Sequence, residues 1–363
     1  MRNFAPMATS GTSSPGNIRH LELKELTTWF KERGDQSFRA KQVYEWLWKK
    51  SALSFDDMTN LPKATREALK TDFVINGFVN VVSQVSKDGT VKNAFHLYDD
   101  KRVEGVLIPA ENRMTACISS QVGCSLECKF CATGRMKRER NLGADEIYDE
   151  VVFIQKQCLE KYSTPLTNIV FMGMGEPLLN YSNVLEAINK ITSPEGLNFS
   201  AQRITLSTAG VVKMIKKLGD DDVKFNLALS LHAATDEKRS KIMPINDTNK
   251  LEDVAEALKY FYSKTKSKVT YEYIVFKDFN DSMGDAYKLA EFCKIVPCKV
   301  NLIEYNPIDK GEFQQTSPER MSSFVKLLRS RGIIVNTRRS RGKDIDAACG
   351  QLANKLQEVG MTK

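Results

Sequence analysis

Three cysteines pose the first chemical question: Cys124, Cys128 and Cys131, in the run Cys124-Ser-Leu-Glu-Cys128-Lys-Phe-Cys131. Three and then two residues separate them, which brings three thiolates to one side of a tight loop. A structural zinc site takes four ligands. Three thiolates instead hold three irons of a cubane [4Fe–4S] cluster and leave the fourth iron open to a substrate or cofactor. The spacing therefore predicts an iron–sulfur centre with an open position, shielded by Phe130. A zinc loop that recruits Cys117 as fourth ligand is the alternative on spacing alone.

Other residues carry chemistry at a distance from this loop. Cys349 lies in "DIDAACGQ", behind the basic run Arg338, Arg339, Arg341 and Lys343. Arg341 and Lys343 are expected to favour its thiolate, and Gly350 to give it a mobile loop. Cys117 stands seven positions before Cys124. Glu104, in "RVEGVLIP", shares its strand parity with Val106 and Ile108 and is either a general base or an exposed edge residue. Gly173-Met-Gly175-Glu176 follows the apolar run "NIVFM". Glycines there let a ligand approach the backbone, and Glu176 can accept hydrogen bonds from an ammonium group. Ser230 and His232 share one face of "FNLALSLH" with Asn226 and Ala228, and Ser207 shares a polar face of "RITLST" with Arg203 and Thr205. Asn306 ends the strand "VNLIEY". Cys158 and Cys293 sit on apolar helical faces and Cys298 at a strand entrance, so all three read as structural.

The elements that must position these groups are legible as patterns. From Thr115 onward, the apolar strands "TACIS", "TNIVFMG", "RITLST", "FNLALSL", "KVTYEYIVF" and "KVNLIEY" alternate with amphipathic helices near 144–160, 182–193, 211–218, 250–264, 282–294 and 317–330. Such alternation predicts an α/β fold with parallel strands in an open, partial (β/α)6 barrel and ligands at the carboxyl ends of the strands. Residues 19–100 form an accessory region of helices followed by a hairpin turning at Asp88-Gly89, with all three tryptophans packed in its core. Residues 1–18, rich in Ser, Thr, Gly and Pro, are expected to be a disordered tail, residues 101–344 the core, and residues 345–363 a C-terminal segment carrying Cys349. The chain has 363 residues and a net charge of +8, a modest excess that permits nucleic-acid binding without establishing it. That excess is concentrated in Arg135, Lys137, Arg138 and Arg140 and in the later basic run, a candidate phosphate-binding rim. No signal peptide or membrane-spanning run is present, so a cytoplasmic protein with reduced thiols is expected.

The cysteine spacing, with an aromatic before the last cysteine, resembles the radical S-adenosylmethionine (SAM) enzymes. Together with "FMGMGEPLLN", "ITLSTAGVV", "LALSLHA", "IMPIND" and "DIDAACGQLA", it resembles the methyltransferases that modify carbon 2 of adenine in ribosomal and transfer RNA. The likeness runs from about Arg19 to about Leu356. It implies a [4Fe–4S] cluster on Cys124, Cys128 and Cys131, and SAM contacts from Gly175, Glu176, Ser207, Ser230, Leu231, His232 and Asn306. It implies that Cys349 accepts a methyl group, that Cys117 resolves the covalent intermediate, and that Glu104 abstracts a proton. It further implies an accessory domain that helps hold RNA, with Lys49, Lys50, Lys63 and Arg66 as candidate contacts. The expected partners are ribosomal RNA, transfer RNA, an electron donor for the cluster and a thiol reductant, acting on a monomer. A sibling enzyme that methylates carbon 8 and a zinc-stabilised RNA-binding protein are the rival readings.

Overall fold

The structure, a computed structural model, describes residues 15–355. It divides into two units, one ending at Gly77 and the other beginning at Phe78. The first unit holds helices α1 (Leu23–Glu32), α2 (Phe38–Trp48) and α3 (Lys63–Asp72). Their apolar stripes bury Leu26 and Phe30 from α1, Ala40, Val43 and Leu47 from α2, and Leu69 from α3. Only Trp48 of the three tryptophans is fully buried. Trp29 and Trp46 are half-buried, donate to Asp72 and Asn60, and carry Arg33 and Lys50 over their rings. Strand β1 (Gly16–Asn17) pairs in parallel with β2 (Phe73–Val74). The tail expected over residues 1–18 is therefore too long: Gly16 and Asn17 are paired and Ile18 is core. Residues 1–14 of that expectation lie outside the described residues.

The second unit is built on one ten-stranded sheet. Strands β3 (Asn80–Val85), β4 (Val91–His96), β5 (Arg102–Ala110) and β6 (Arg113–Ile118) follow one another antiparallel. A small antiparallel ribbon, β7 (Gln121–Val122) with β8 (Arg140–Asn141), then brackets the cysteine loop. From β6 the sheet continues in parallel through β9 (Asn168–Phe171), β10 (Ile204–Thr208), β11 (Asn226–Ser230), β12 (Val269–Val275), β13 (Cys298–Glu304) and β14 (Val335–Arg338). Helices α4 (Ala144–Tyr162), α5 (Tyr181–Thr192), α6 (Val212–Asp220), α7 (Asp236–Ile242), α8 (Leu251–Thr265), α9 (Met283–Phe292) and α10 (Pro318–Ser330) connect them. The sheet has two free edges, β3 and β14, so the barrel stays open. Apart from the two-residue strands β1, β2, β7 and β8, two elements were not expected from sequence. The short β14 buries only Val335 and has no alternation to show, and α7 buries only Arg239 and Ile242, too little for a helical period to show.

The boundary expected near residue 100 moves to Gly77 because the hairpin is part of the core sheet. Val91 pairs with Leu107 and Phe95 with Val103, and β4 is buried almost throughout. Its turn also receives the end of the chain: Gly342 N–H donates to Asp88 at 2.9 Å, and Ser86 Oγ donates to Asp344 at 2.5 Å. Gly105 on β5 shows how tight this junction is. A Cβ there would lie 2.8 Å from the Phe95 ring, 3.0 Å from the Glu150 carboxylate and 3.3 Å from the Cys117 carbonyl. Gly105→Ala should therefore destabilise the cluster-free protein by about 1–3 kcal/mol, read by chemical denaturation; unchanged stability would mean that the Phe95 ring yields freely.

Candidate active site

The cysteine loop is held by its own backbone. Cys131 N–H donates to the Cys128 carbonyl at 3.1 Å, and Gly134 N–H to the Cys131 carbonyl at 3.1 Å. Gly134 has no room for a side chain, since a Cβ would sit 2.8 Å from the Cys128 carbonyl oxygen. Phe130 is buried, edge-on to His232 with ring centres 4.7 Å apart and 5.7 Å from Phe276. Cys128 and Cys131 pack against that apolar cluster, so one side of the loop is shielded as expected. The other side opens into a pocket of about 660 Å³ lined by Cys124, Cys128, Arg135, Lys137 and Arg138. Burial pushes the Cys124 thiol up to about 11 and the other two above their ordinary value.

The groups expected to contact SAM lie at the carboxyl ends of the parallel strands. Glu176 is buried, which raises its carboxyl to about 7 against the pull of its hydrogen bonds from Ala209 N–H (2.7 Å), Thr208 and Leu178 N–H (3.0 Å). Gly175 has φ +93°, and a Cβ on it would meet Gln121 at 2.5 Å. In this structure the glycine admits a neighbouring stretch of the chain itself. Ser207 and Ser230 hydroxyls are 3.1 Å apart. His232, also at positive φ, accepts the Ile274 N–H at Nδ1 (3.1 Å), so its proton sits on Nε2; burial lowers its pKa to about 3. Leu231 is fully buried, with its N–H given to Glu272 and its carbonyl taken by Arg239. Asn306 donates to the Cys349 carbonyl at 3.1 Å, and its buried Oδ1 has no partner.

Cys349 and Cys117 come together here from distant parts of the chain. The C-terminal segment is fastened on both sides: Ala132 N–H to the Gly350 carbonyl (2.7 Å), Thr133 to the Leu352 carbonyl (2.6 Å), and Gln351 to the Pro307 carbonyl (2.9 Å). The loop expected to be mobile is thus tied down, and Gly350, at φ +84°, lets it cross the Phe130 carbonyl. Cys349 is solvent-accessible, yet enough protein surrounds it to raise its thiol to about 11, with Glu272 and Cys131 adding to the rise. The cation that opposes this is Arg338, 3.6 Å from Glu272, and neither Arg341 nor Lys343; Lys343 pairs with Glu304 instead. Cys117 is buried on β6 and raised to about 12, by burial first and then by Cys349 and Glu150. Its largest electrostatic partners are Cys349, Glu150 and Arg338 rather than the cysteine trio. Glu104 is fully buried on an interior strand, which removes the edge-strand alternative. It is not set among apolar groups alone. One carboxylate oxygen accepts Ala353 N–H at 2.9 Å, and the other lies 3.8 Å from Lys92 Nζ.

Comparison with known proteins assigns the lineage. The description "Ribosomal RNA large subunit methyltransferase N-terminal domain" matches residues 16–75, and "Radical SAM superfamily" matches residues 118–290. A protein of Christiangramia forsetii named "probable dual-specificity RNA methyltransferase RlmN" is 61% identical over 93% of this chain and 96% of its own length. A protein of Cytophaga hutchinsonii with the same name is 59% identical over 98% of both. This chain belongs to the RlmN family of radical SAM RNA methyltransferases. The crystal structure of a radical SAM methyltransferase from Sphaerobacter thermophilus superposes with a TM-score of 0.88 at 39% identity, covering 93% of this chain and 99% of that one.

As a radical SAM enzyme, this RlmN family member uses a [4Fe–4S] cluster and SAM. The cysteine trio fits the cluster. The three sulfurs interact electrostatically, N–H groups of Leu126 and Ser125 point at the Cys124 sulfur, and those of Gly134 and Thr133 point at Cys131. Thiolate ligands accept such hydrogen bonds. Sequence reasoning missed several residues that line or support the site. Asn336 donates to Asn301 (3.1 Å) and Asn301 to Glu272 (2.7 Å), a polar ladder from β14 to β12 that ends beside Arg338. Polar residues inside "VTYEYIV" and "KVNLIE" were the available signal. Arg239 is fully buried and spends its donors on the carbonyls of Leu231, Ala209 and Ser230 and on Asn246, which ties the ends of β10 and β11 together behind Cys128.

Two outcomes follow. Arg338→Gln should slow iodoacetamide alkylation of Cys349 at pH 8, because the cation that favours its thiolate is gone; mass-spectrometric rates check this. Glu176 has a folded pKa near 7 against an ordinary 4.5. Its neutral form stabilises the fold fully below about 4.5, and that contribution disappears as pH rises through 7. The apo stability of Glu176→Gln relative to wild type should therefore improve by about 3 kcal/mol between pH 4 and pH 8.

Proposed function

We propose that this enzyme methylates carbon 2 of one adenine in 23S ribosomal RNA and of an adenine beside the anticodon of transfer RNAs, carrying the methyl group on Cys349 and releasing product through Cys117. The observation that supports this most is the meeting of Cys349, Cys117 and the cluster cysteine Cys131: Cys349 feels Cys131, and Cys117 feels Cys349. Carbon 2 of adenine is electron-poor and does not attack a methyl sulfonium. The cluster and SAM, when bound, supply the radical chemistry that activates a methyl carbon.

The chain's own groups divide the remaining work. Cys349 must become a thiolate to take the methyl group, and Arg338 is the cation beside it. Gly175, Glu176, Ser207, Ser230, Leu231, His232 and Asn306 frame the SAM site, where an ammonium group would convert the neutral Glu176 carboxyl to its anion. Glu104 keeps one carboxylate oxygen without a hydrogen-bond partner, free to take the proton from carbon 2. Cys117 then attacks the Cys349 sulfur, forming a disulfide that a thiol reductant must reopen. An external donor reduces the cluster. One chain supplies every one of these residues, which fits a monomer. The base edge is reached only in an unstacked nucleotide.

The experiment is an anaerobic reaction followed by nucleoside mass spectrometry, which separates carbon 2 from carbon 8 products. Cys349→Ala should keep its iron and lose all methyl transfer. Cys117→Ala should accumulate a protein–RNA adduct through Cys349, visible on a denaturing gel; normal turnover without adduct would sink the resolving role. Zinc in place of iron after anaerobic reconstitution would sink the whole reading.

The phosphate-binding rim is narrower than the basic runs suggested. Arg140 is paired with Asp99 and Glu146, Arg338 with Glu272, and Arg135 caps the carbonyls of Asp309 and Lys310. Lys137, Arg138, Arg339 and Arg341 remain exposed. Replacing Lys137 and Arg138 with Gln should lower the salt slope of RNA binding by roughly one to two, whereas Arg140→Gln should cost stability instead.

A further inference from the structure

One buried cation stands beside the proposed base and has no part yet in the methyl transfer. Lys92 of β4 lies opposite Val106 of β5, and Val106 lies opposite Cys117 of β6. Side chains two residues apart along a strand share a face, so Lys92, Glu104 and Cys117 point to one side of the sheet. Lys92 and Glu104 are diagonal neighbours across β4 and β5. Lys92 Nζ ends 3.8 Å from Glu104 Oε1, and the two side chains are 3% and 0% exposed. Among the described residues, no other cation forms an ion pair with this carboxylate. His96 and Arg102 stand opposite each other further along the same face, and Glu150 lies behind β5 against Gly105.

The pair is poorly made as a structural staple. A buried ion pair repays its desolvation when the contact is close and the spare lone pairs and protons are hydrogen-bonded. Here Oε1 accepts no hydrogen bond, and Lys92 donates a long one, 3.5 Å, to the Asp346 carbonyl. The Asp346 carboxylate is taken by Lys355 at 3.2 Å, so it does not neutralise Lys92. What the ammonium supplies is charge. Glu176 and Glu150 are the internal comparison. Both are buried, neither has an ion pair among the described residues, and burial raises Glu176 to about 7 and Glu150 well above its ordinary value. A carboxyl held neutral in that way cannot take a proton.

We propose that Lys92 is a positioning residue that keeps Glu104 an anion and leaves Oε1 open to receive the proton from carbon 2 of adenine. This rests on the base role proposed for Glu104. In the step, the C–H bond at carbon 2 breaks, its proton goes to Oε1, and its electron pair stays with the adenine. Lys92 keeps its own protons throughout. Its distance of 3.8 Å is too long for a hydrogen bond, so its charge acts on Oε1 without occupying the lone pair that takes the proton.

The test compares Lys92→Met and Glu104→Gln in the full-length protein. The first readout is infrared difference spectroscopy of the cofactor-free protein at pH 7. Wild type minus Glu104→Gln should show no carbonyl band of a protonated carboxylic acid. Lys92→Met minus the double variant Lys92→Met/Glu104→Gln should show one. The second readout is release of the protein–RNA adduct in an anaerobic single turnover, followed on denaturing gels. Lys92→Met should release RNA about a hundredfold more slowly than wild type at pH 7, and faster as the pH rises, because the neutral acid must first ionise. Glu104→Gln should stall at every pH. Lys92→Gln should show the same band and the same pH dependence as Lys92→Met, and replaces it if that variant does not fold. Release at the wild-type rate in the Lys92 variants overturns the proposal. So does a stall at every pH without the acid band, which would make Lys92 a structural residue alone. Normal release in Glu104→Gln overturns instead the base role on which the proposal depends.

Discussion

Desolvation is the constraint on which the active site depends. The open barrel gathers thiols, carboxylates, an imidazole and a guanidinium where water is largely excluded, and each charge there is costly unless it is paired. Every resolved shift at the centre runs toward neutrality. Cys117 and Cys349 are pushed up to about 12 and 11, Glu176 to about 7, His232 down to about 3, and Arg239 down to about 10. The cofactor-free site therefore favours neutral groups. The proposed chemistry needs thiolates and a carboxylate, so binding of the cluster and of SAM must supply the opposite charges that make those anions stable.

The same constraint explains the supporting architecture. Buried polar atoms that cannot reach water are satisfied by backbone: Glu176 by two N–H groups at the strand ends, Arg239 by three carbonyls, and Glu104 by Ala353. These bonds also lock geometry. Arg239 fixes the ends of β10 and β11, and the bond from Ala353 to Glu104 draws the C-terminal segment across the sheet and sets Cys349 beside the cysteine loop. The hairpin β3–β4 serves this docking as well, through Asp88, Ser86 and Lys92, which reaches the Asp346 carbonyl at 3.5 Å. It is a structural arm of the core sheet rather than part of the accessory unit.

The division of basic residues follows from pairing. Residues that look equivalent in the sequence have different duties once acids are placed beside them. Arg338 faces Glu272, Cys117 and Cys349, Arg140 bridges Asp99 and Glu146, and Lys343 holds Glu304. Lys137, Arg138, Arg339 and Arg341 keep their exposure, as the proposed phosphate contacts require.

By itself the sequence determined the cysteine trio, the alternation of strands and helices, the polar faces of β10 and β11, and the family. Each is local: a spacing of three and two, a period of two or 3.6, or a motif a few residues long. The helices at 144–162, 181–192 and 251–265 fell close to expectation because long amphipathic periods leave little ambiguity. Only the tertiary structure decided which strand lies beside which, that β3–β4 joins the core, that β14 adds a strand, and that Arg338 rather than Arg341 reaches Cys349. Those facts are set by burial and long-range pairing, which depend on residues far apart in the chain and leave no periodic trace within it.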